Sequence, residues 1–225
     1  MKIYAGIFAL LLVLCHTGAN AQLGALKDIA GGDDSEETSQ GMSAEASQDQ
    51  LVRDFTQTLT LVMTAQSRLQ NALGNSEESA KLQLAIEDLE GECAKKCLER
   101  TVEISDAANE SIADKMAEQQ ALDAEKKEIY VTAIPPYIQG TLSARTLAQT
   151  ATDWTTQSTK DLKNAGAMGA MSLRSKLEVG TYVATQMPGL LKQWTSSTRM
   201  MLTFAESNDV DLDSVEGVND FDFGA

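Results

Sequence analysis

Residues 51–78, LVRDFTQTLTLVMTAQSRLQNALGNSEE, decide the fold of this chain. Seven positions of this stretch follow one another at spacings of 3, 4, 3, 4, 3 and 4, the pattern of a helix seam that packs on a neighbouring helix. Gly74 then predicts the end of this helix, and Asn75 or Ser76 begins another with acids in its first turn. The stretch therefore predicts an antiparallel helical hairpin. The seam positions are Val52, Phe55, Leu59, Val62, Gln66, Leu69 and Leu73.

Downstream of the hairpin turn, an apolar stripe continues without proline until Pro135. It predicts one long second helix from Ser76 to about Thr132, which Pro135 and Pro136 then end. Further helices are expected over 137–164, after the glycines at 166 and 169, and from Pro188 onward. No strand pattern accompanies them. We predict an all-α fold, an elongated bundle or coiled-coil hairpin of about four to five helices.

The composition of the chain divides it into segments. Residues 22–47 are rich in Gly, Ser, Asp and Glu, which predicts a disordered leader because such a stretch buries little apolar surface. The helical bundle is expected over 48–206, with the long hairpin in 48–134 and the shorter helices in 135–206. An acidic tail, 207–225, follows.

The first 21 residues read as a signal peptide. Lys2 precedes an apolar run that is too short to span a bilayer, and an A-x-A sequence ends at Ala21. Cleavage is expected between Ala21 and Gln22. The protein is therefore predicted to be exported, to the periplasm if the host is a Gram-negative bacterium and otherwise to the extracellular space.

Cleavage would remove the one histidine and one of three cysteines. Without histidine, Ser-His-Asp and Cys-His catalysis and histidine-ligated metal sites are excluded. The remaining chain has 33 acidic and 17 basic residues. This excess of negative charge argues against nucleic-acid binding. No later stretch is apolar enough for a membrane helix, so stable membrane insertion is not expected. No cofactor or metal is predicted.

Cys93 and Cys97 remain as a pair in an exported chain, where oxidation is expected. On a regular helix, residues four apart have β-carbons ~5–6 Å apart, whereas a disulfide requires ~3.5–4.5 Å. A bridge within one helix therefore requires local distortion, which Gly91 would permit. The alternatives are a bridge to another chain and two reduced thiols in the seam. The local bridge is favoured.

Methionines and the tail supply the remaining candidates. Met168, Met171, Met187, Met200 and Met201 are interpreted as residues that fill gaps in the core or line an adaptable groove, because their spacing follows the apolar stripes. The tail interleaves acids with apolar residues, which predicts either a solubilising segment or a short motif that docks on a partner. The partner-binding candidates are Leu212, Val215, Phe221 and Phe223.

No catalytic motif emerges, so an enzyme is not expected. We predict an exported interaction or scaffold protein, an adaptor or a component of secretion or envelope assembly, with a protein partner or a homo-oligomer. The alternative is a membrane-active or lipid-handling helical protein, similar to a pore former, in which the Thr-, Ala- and Gly-rich region of about 140–187 meets lipid.

Overall fold

The computed structural model describes residues 42–91, 93–118, 121–213, 215–218 and 221. The predicted signal peptide and residues 22–41 of the predicted leader lie outside these ranges. The described residues form six helices and no strand, which confirms the all-α class. The helices are α1 (Ala44–Ala72), α2 (Ser76–Glu90), α3 (Lys95–Glu118), α4 (Ala124–Asn164), α5 (Gly166–Lys176) and α6 (Glu178–Ser207).

Helix α1 begins at Ala44, directly after its N-cap residue Ser43. The bundle therefore starts four residues before residue 48, its predicted first residue. The Ser43 hydroxyl accepts from the backbone N–H of Ala46 at 3.3 Å, as an N-cap side chain does. Six of the seven predicted seam positions are buried, Gln66 among them, and Val52 is half-buried. Gly74 adopts φ +79°, a left-handed conformation that ends the helix. The predicted hairpin of α1 and α2 is therefore confirmed.

The predicted single helix from Ser76 to Thr132 is wrong. Helix α2 ends at Glu90, with Gly91 in an extended conformation, and α3 ends at Glu118 before Asp123 caps α4. The carboxylate of Asp123 accepts from the N–H of Lys126 at 2.9 Å. The apolar stripe continues through both breaks, because three helices that pack on the same core each bury a face of similar spacing.

The predicted helix end at Pro135 and Pro136 is also wrong, because both prolines lie inside α4. Pro136 lacks the N–H that would bond to the carbonyl of Thr132 four residues earlier. The Arg68 guanidinium of α1 donates to that carbonyl at 2.6 Å instead. Pro188 likewise lies inside α6 and begins no helix.

The interface between α1 and α4 is the most extensive in the bundle. It includes a close approach at a glycine. A Cβ added to Gly140 would lie 2.7 Å from Cγ2 of Val62 and 3.3 Å from its backbone nitrogen. Farther along α4, the ring of Trp154 covers Gly180 of α6, where an added Cβ would lie 2.5 Å from Cζ2. Close approach of these helices therefore requires glycine at both positions.

The residues after α6 fold back along the bundle. The side chain of Asn208 accepts from the N–H of Leu122 at 2.8 Å, which ties the end of α6 to the start of α4. Gly217, at φ +84°, lies against Ile138 of α4, and Phe221 is buried there. No helix among the described residues has the length and apolar character needed to span a bilayer.

Candidate functional site

Helix α5 is the one described helix that contains no buried residue. It follows Asn164 through a turn at Ala165 and Gly166 (φ +65°) and contacts the bundle through half-buried Leu173. Its outer face leaves Met168 90% and Met171 75% exposed. The interpretation of these two methionines as core residues is therefore wrong. It holds for Met187 and Met201, which are buried in α6, whereas Met200 is half-buried.

Unpaired cations lie at the end of α4 and in α5. Lys160, Lys163 and Arg174 are exposed, and none of them forms an ion pair with a described residue. Lys176 pairs with Glu45 at the start of α1, at 2.7 Å. Residues 160–176 carry four bases and one acid in a chain of net charge −15. This end of the bundle is thus locally basic as well as apolar.

A groove of about 610 Å³ lies beside α5. Its apolar lining comes from Leu162, Leu177 and Tyr182, and Arg174 of α5 forms part of its wall. Burial, together with the nearby carboxylates, raises the pKa of Tyr182 to about 12, so its hydroxyl stays protonated at neutral pH. The groove thus offers apolar surface and a hydroxyl beside an unpaired guanidinium.

The cysteine pair lies at the same end of the bundle. The sulfur atoms of Cys93 and Cys97 are 2.01 Å apart, and the Cα atoms 5.3 Å. Cys93 precedes the first residue of α3, so the bridge spans a helix start and does not require distortion within a regular helix. Lys95, the first residue of α3, forms an ion pair with Glu178 at 2.6 Å. This ion pair connects the start of α3 to the start of α6.

The sequence singled out the cysteines and the methionines but did not predict that the disulfide and α5 would lie at the same end of the bundle. Antiparallel packing brings the start of α1, the α2–α3 junction, the end of α4 and the start of α6 together. The N–H of Ala44 donates to Asp161 at 2.8 Å, and Trp154 donates to the carbonyl of Ala44 at 2.9 Å. We name this region the α5 end.

A second groove, of about 430 Å³, lies between α3 and α6 and was not predicted. Asn109 lines it with an exposed fraction of 5% and accepts from the hydroxyl of Tyr137 at 2.7 Å. Its side-chain nitrogen has no hydrogen-bond partner among the described residues. Burial raises the pKa of nearby Asp106, and Glu110 and Glu103 add to that effect.

The remaining candidates lie in the tail or outside the described residues. Val215 and Phe221 are buried against the bundle of this same chain, and Leu212 is half-buried. The guanidinium of Arg145 lies 5.3 Å from the centre of the Phe221 ring, a cation–π contact. Phe223 and the cleavage residues Ala21 and Gln22 fall outside the described residues.

Within the described ranges, no group of three His, Cys, Asp or Glu side chains is placed to hold a metal ion. Comparison with protein-family models, with curated proteins and with solved structures finds no match to this chain.

Proposed function

We propose that this protein is an exported, non-enzymatic helical interaction protein that binds a protein partner through its α5 end. The exposure of Met168 and Met171 carries the proposal. Exposed apolar patches on soluble proteins often mark interaction sites, and Met168 and Met171, one turn apart on the same helix, place two large apolar side chains next to each other on the surface.

Methionine suits a partner-binding face because its unbranched side chain adapts to irregular surfaces. The groove beside α5 extends the apolar area, since Leu162, Leu177 and Tyr182 line it within reach of Arg174. The unpaired cations Lys160 and Lys163 favour a partner that is acidic around an apolar centre. Apolar contact would then supply affinity, and charge would supply orientation.

Site-specific photo-crosslinking in the native compartment tests the binding surface. A photoreactive residue in place of Met171 is expected to form a crosslinked product that can be identified by mass spectrometry. The matched control is Leu84 of α2, which is also a large apolar residue and 63% exposed but lies on another face. Equal crosslinking from both positions, or none from Met171, would contradict the proposal.

The export half of the proposal rests on residues 1–21 and has its own test. The native protein is expected to begin at Gln22, which intact-mass measurement of the purified protein reads directly. A mass that includes the first 21 residues would contradict export by cleavage.

A membrane-active protein is the second candidate, and the same surface favours it. Two exposed methionines beside three unpaired cations resemble the faces by which helices bind anionic lipid interfaces. The net charge of −15 opposes such binding. Flotation with vesicles that contain about 30% anionic lipid separates the two candidates. Retention of the protein with the vesicles, lost on Met168→Ser and Met171→Ser, would favour the lipid interpretation.

A further inference from the structure

We infer that the partner of the α5 end is a second copy of this chain, which receives α5 in the groove between α3 and α6. This inference rests on the proposed function, because it names the occupant of the same surface. It predicts association through two different patches, the α5 end of one copy and the α3–α6 groove of the next.

The α3–α6 groove has the shape of a receptor for a side chain such as methionine. Gly189 and Ala113 line it, and a Cβ added to Gly189 would find no atom within 4 Å. Met200 contributes a half-buried thioether. Asn109 supplies a buried side-chain nitrogen without a hydrogen-bond partner among the described residues. The groove therefore combines open space, apolar contact and an unused donor.

The face of α3 beside the groove carries a charge opposite to that of residues 160–176, although the lining residues themselves include one acid, Glu110, and one base. Glu103, Asp106, Glu110 and Asp114 follow one another on α3 at spacings of 3, 4 and 4, which places them along one helix face. None of these four carboxylates forms an ion pair with a described residue. Lys192, on the α6 side, is the one base among the lining residues.

The pattern of pairing explains why a second copy fits both surfaces. Three unpaired cations lie at the end of α4 and in α5, and four unpaired carboxylates lie along α3. These three cations share the lack of an ion pair among the described residues with Arg53, Lys96 and Lys127, but they lie in or next to the helix that exposes Met168 and Met171. Two copies would bring the unpaired groups of opposite sign together and cover Met168 and Met171 at the same time.

The contact cannot form within one copy. Helix α5 lies at the start of α6, at Glu178, whereas the groove begins at Gly189 and extends to Met200. At about 1.5 Å per residue, the groove lies roughly 17–33 Å farther along α6. Helix α5 is connected to α6 through Leu177 alone and cannot reach it. Two copies can therefore exchange this contact reciprocally about a two-fold axis, or successive copies can repeat it in a ring or an open chain.

Sedimentation velocity of the purified protein, with its disulfide intact, tests the inference. We expect association that increases with protein concentration and weakens at least about tenfold in about 0.5 M salt, because salt screens charge pairs. Reversal of the α5 cations (Lys160→Glu, Lys163→Glu, Arg174→Glu) should abolish association. Reversal of the groove acids (Glu110→Lys, Asp114→Lys) should abolish it as well.

Mixing the two charge-reversed proteins provides the decisive measurement. The α5 reversal alone presents acids on both patches, and the groove reversal alone places two lysines opposite the α5 cations. The mixture brings the reversed α5 acids to the reversed groove lysines and should associate again. The matched control reverses three cations that line neither groove and lie in α2 and at the start of α4, Lys81, Lys126 and Lys127, and so changes the net charge equally. This control should associate as the unmodified protein does, apart from the general effect of added negative charge.

Three results would overturn the inference: a monomer at every concentration, association that the α5 reversal leaves unchanged, or no recovery on mixing. Circular dichroism of each variant verifies that the helices remain folded. A monomeric protein whose Met171 position still crosslinks to a different protein would overturn this inference and leave the proposed function standing. If the protein is monomeric and its Met171 position crosslinks to no protein, both this inference and the proposed function are wrong.

Discussion

Helices α1 and α5 differ in how many of their residues are buried in the bundle. Thirteen of the 29 residues of α1 are buried, so the helix serves as a central element of the core. None of the 11 residues of α5 is buried, although its composition is no more polar. The difference arises because α1 carries an unbroken seam of large residues, whereas α5 has Leu173 as its one large anchoring residue.

This comparison teaches that apolar content alone does not place a helix in the core. Met168 and Met171 have the size of core residues, yet the short segment that carries them has no second large residue to align with Leu173. Burial of α1 therefore stabilises the fold, and exposure of α5 leaves its surface available for binding. Stability measurements on matched variants can test this division.

The largest expected effect is the loss of a large side chain from α1. Phe55 is fully buried, and Phe55→Ala should lower the free energy of unfolding by about 3–5 kcal/mol, through lost transfer energy and a new cavity. The matched variant Met171→Ala on α5 should change it by less than about 0.5 kcal/mol. Denaturant unfolding measures both values. Equal destabilisation by the two variants would show that α5 is held as firmly as α1.

An intermediate effect is expected where α4 approaches α1. Gly140→Ala should cost about 1–3 kcal/mol, because the new methyl group would overlap Val62 and press on its backbone. Gly189→Ala provides the control, since the space around Gly189 is open and alanine favours helix by about 0.5–1 kcal/mol. The two substitutions should therefore shift the thermal midpoint in opposite directions. A shift of the same sign in both would argue against tight packing at Gly140.

The smallest expected effect lies at the exposed edge of the same interface. Arg68→Met removes the donor to the Thr132 carbonyl and should cost about 0.5–1.5 kcal/mol. Pro136→Ala supplies an N–H for that carbonyl, so Arg68→Met should cost less in this second background. The measurement is a double-mutant cycle by chemical unfolding. Strictly additive effects would mean that Arg68 does not compensate for the proline.

Much of the helical content could be predicted because it depends on local patterns. The seam of α1 and the stop at Gly74 follow from spacing and from one glycine, and the structure confirms both. The breaks between α2, α3 and α4 were missed, since the apolar stripe continues across them. The candidate site was half predicted, because the sequence indicated Cys93 and Cys97 and the methionines but assigned Met168 and Met171 to the core or to a groove.

The sequence by itself determined that this chain is helical, where its first hairpin turns, and which two cysteines can meet. These features depend on residues that are near one another along the chain. Tertiary structure alone decided that α4 continues through Pro135 and Pro136, because the compensating donor, Arg68, comes from another helix. It alone decided that Phe221 is buried and Met168 exposed, because burial depends on the surfaces that distant helices provide.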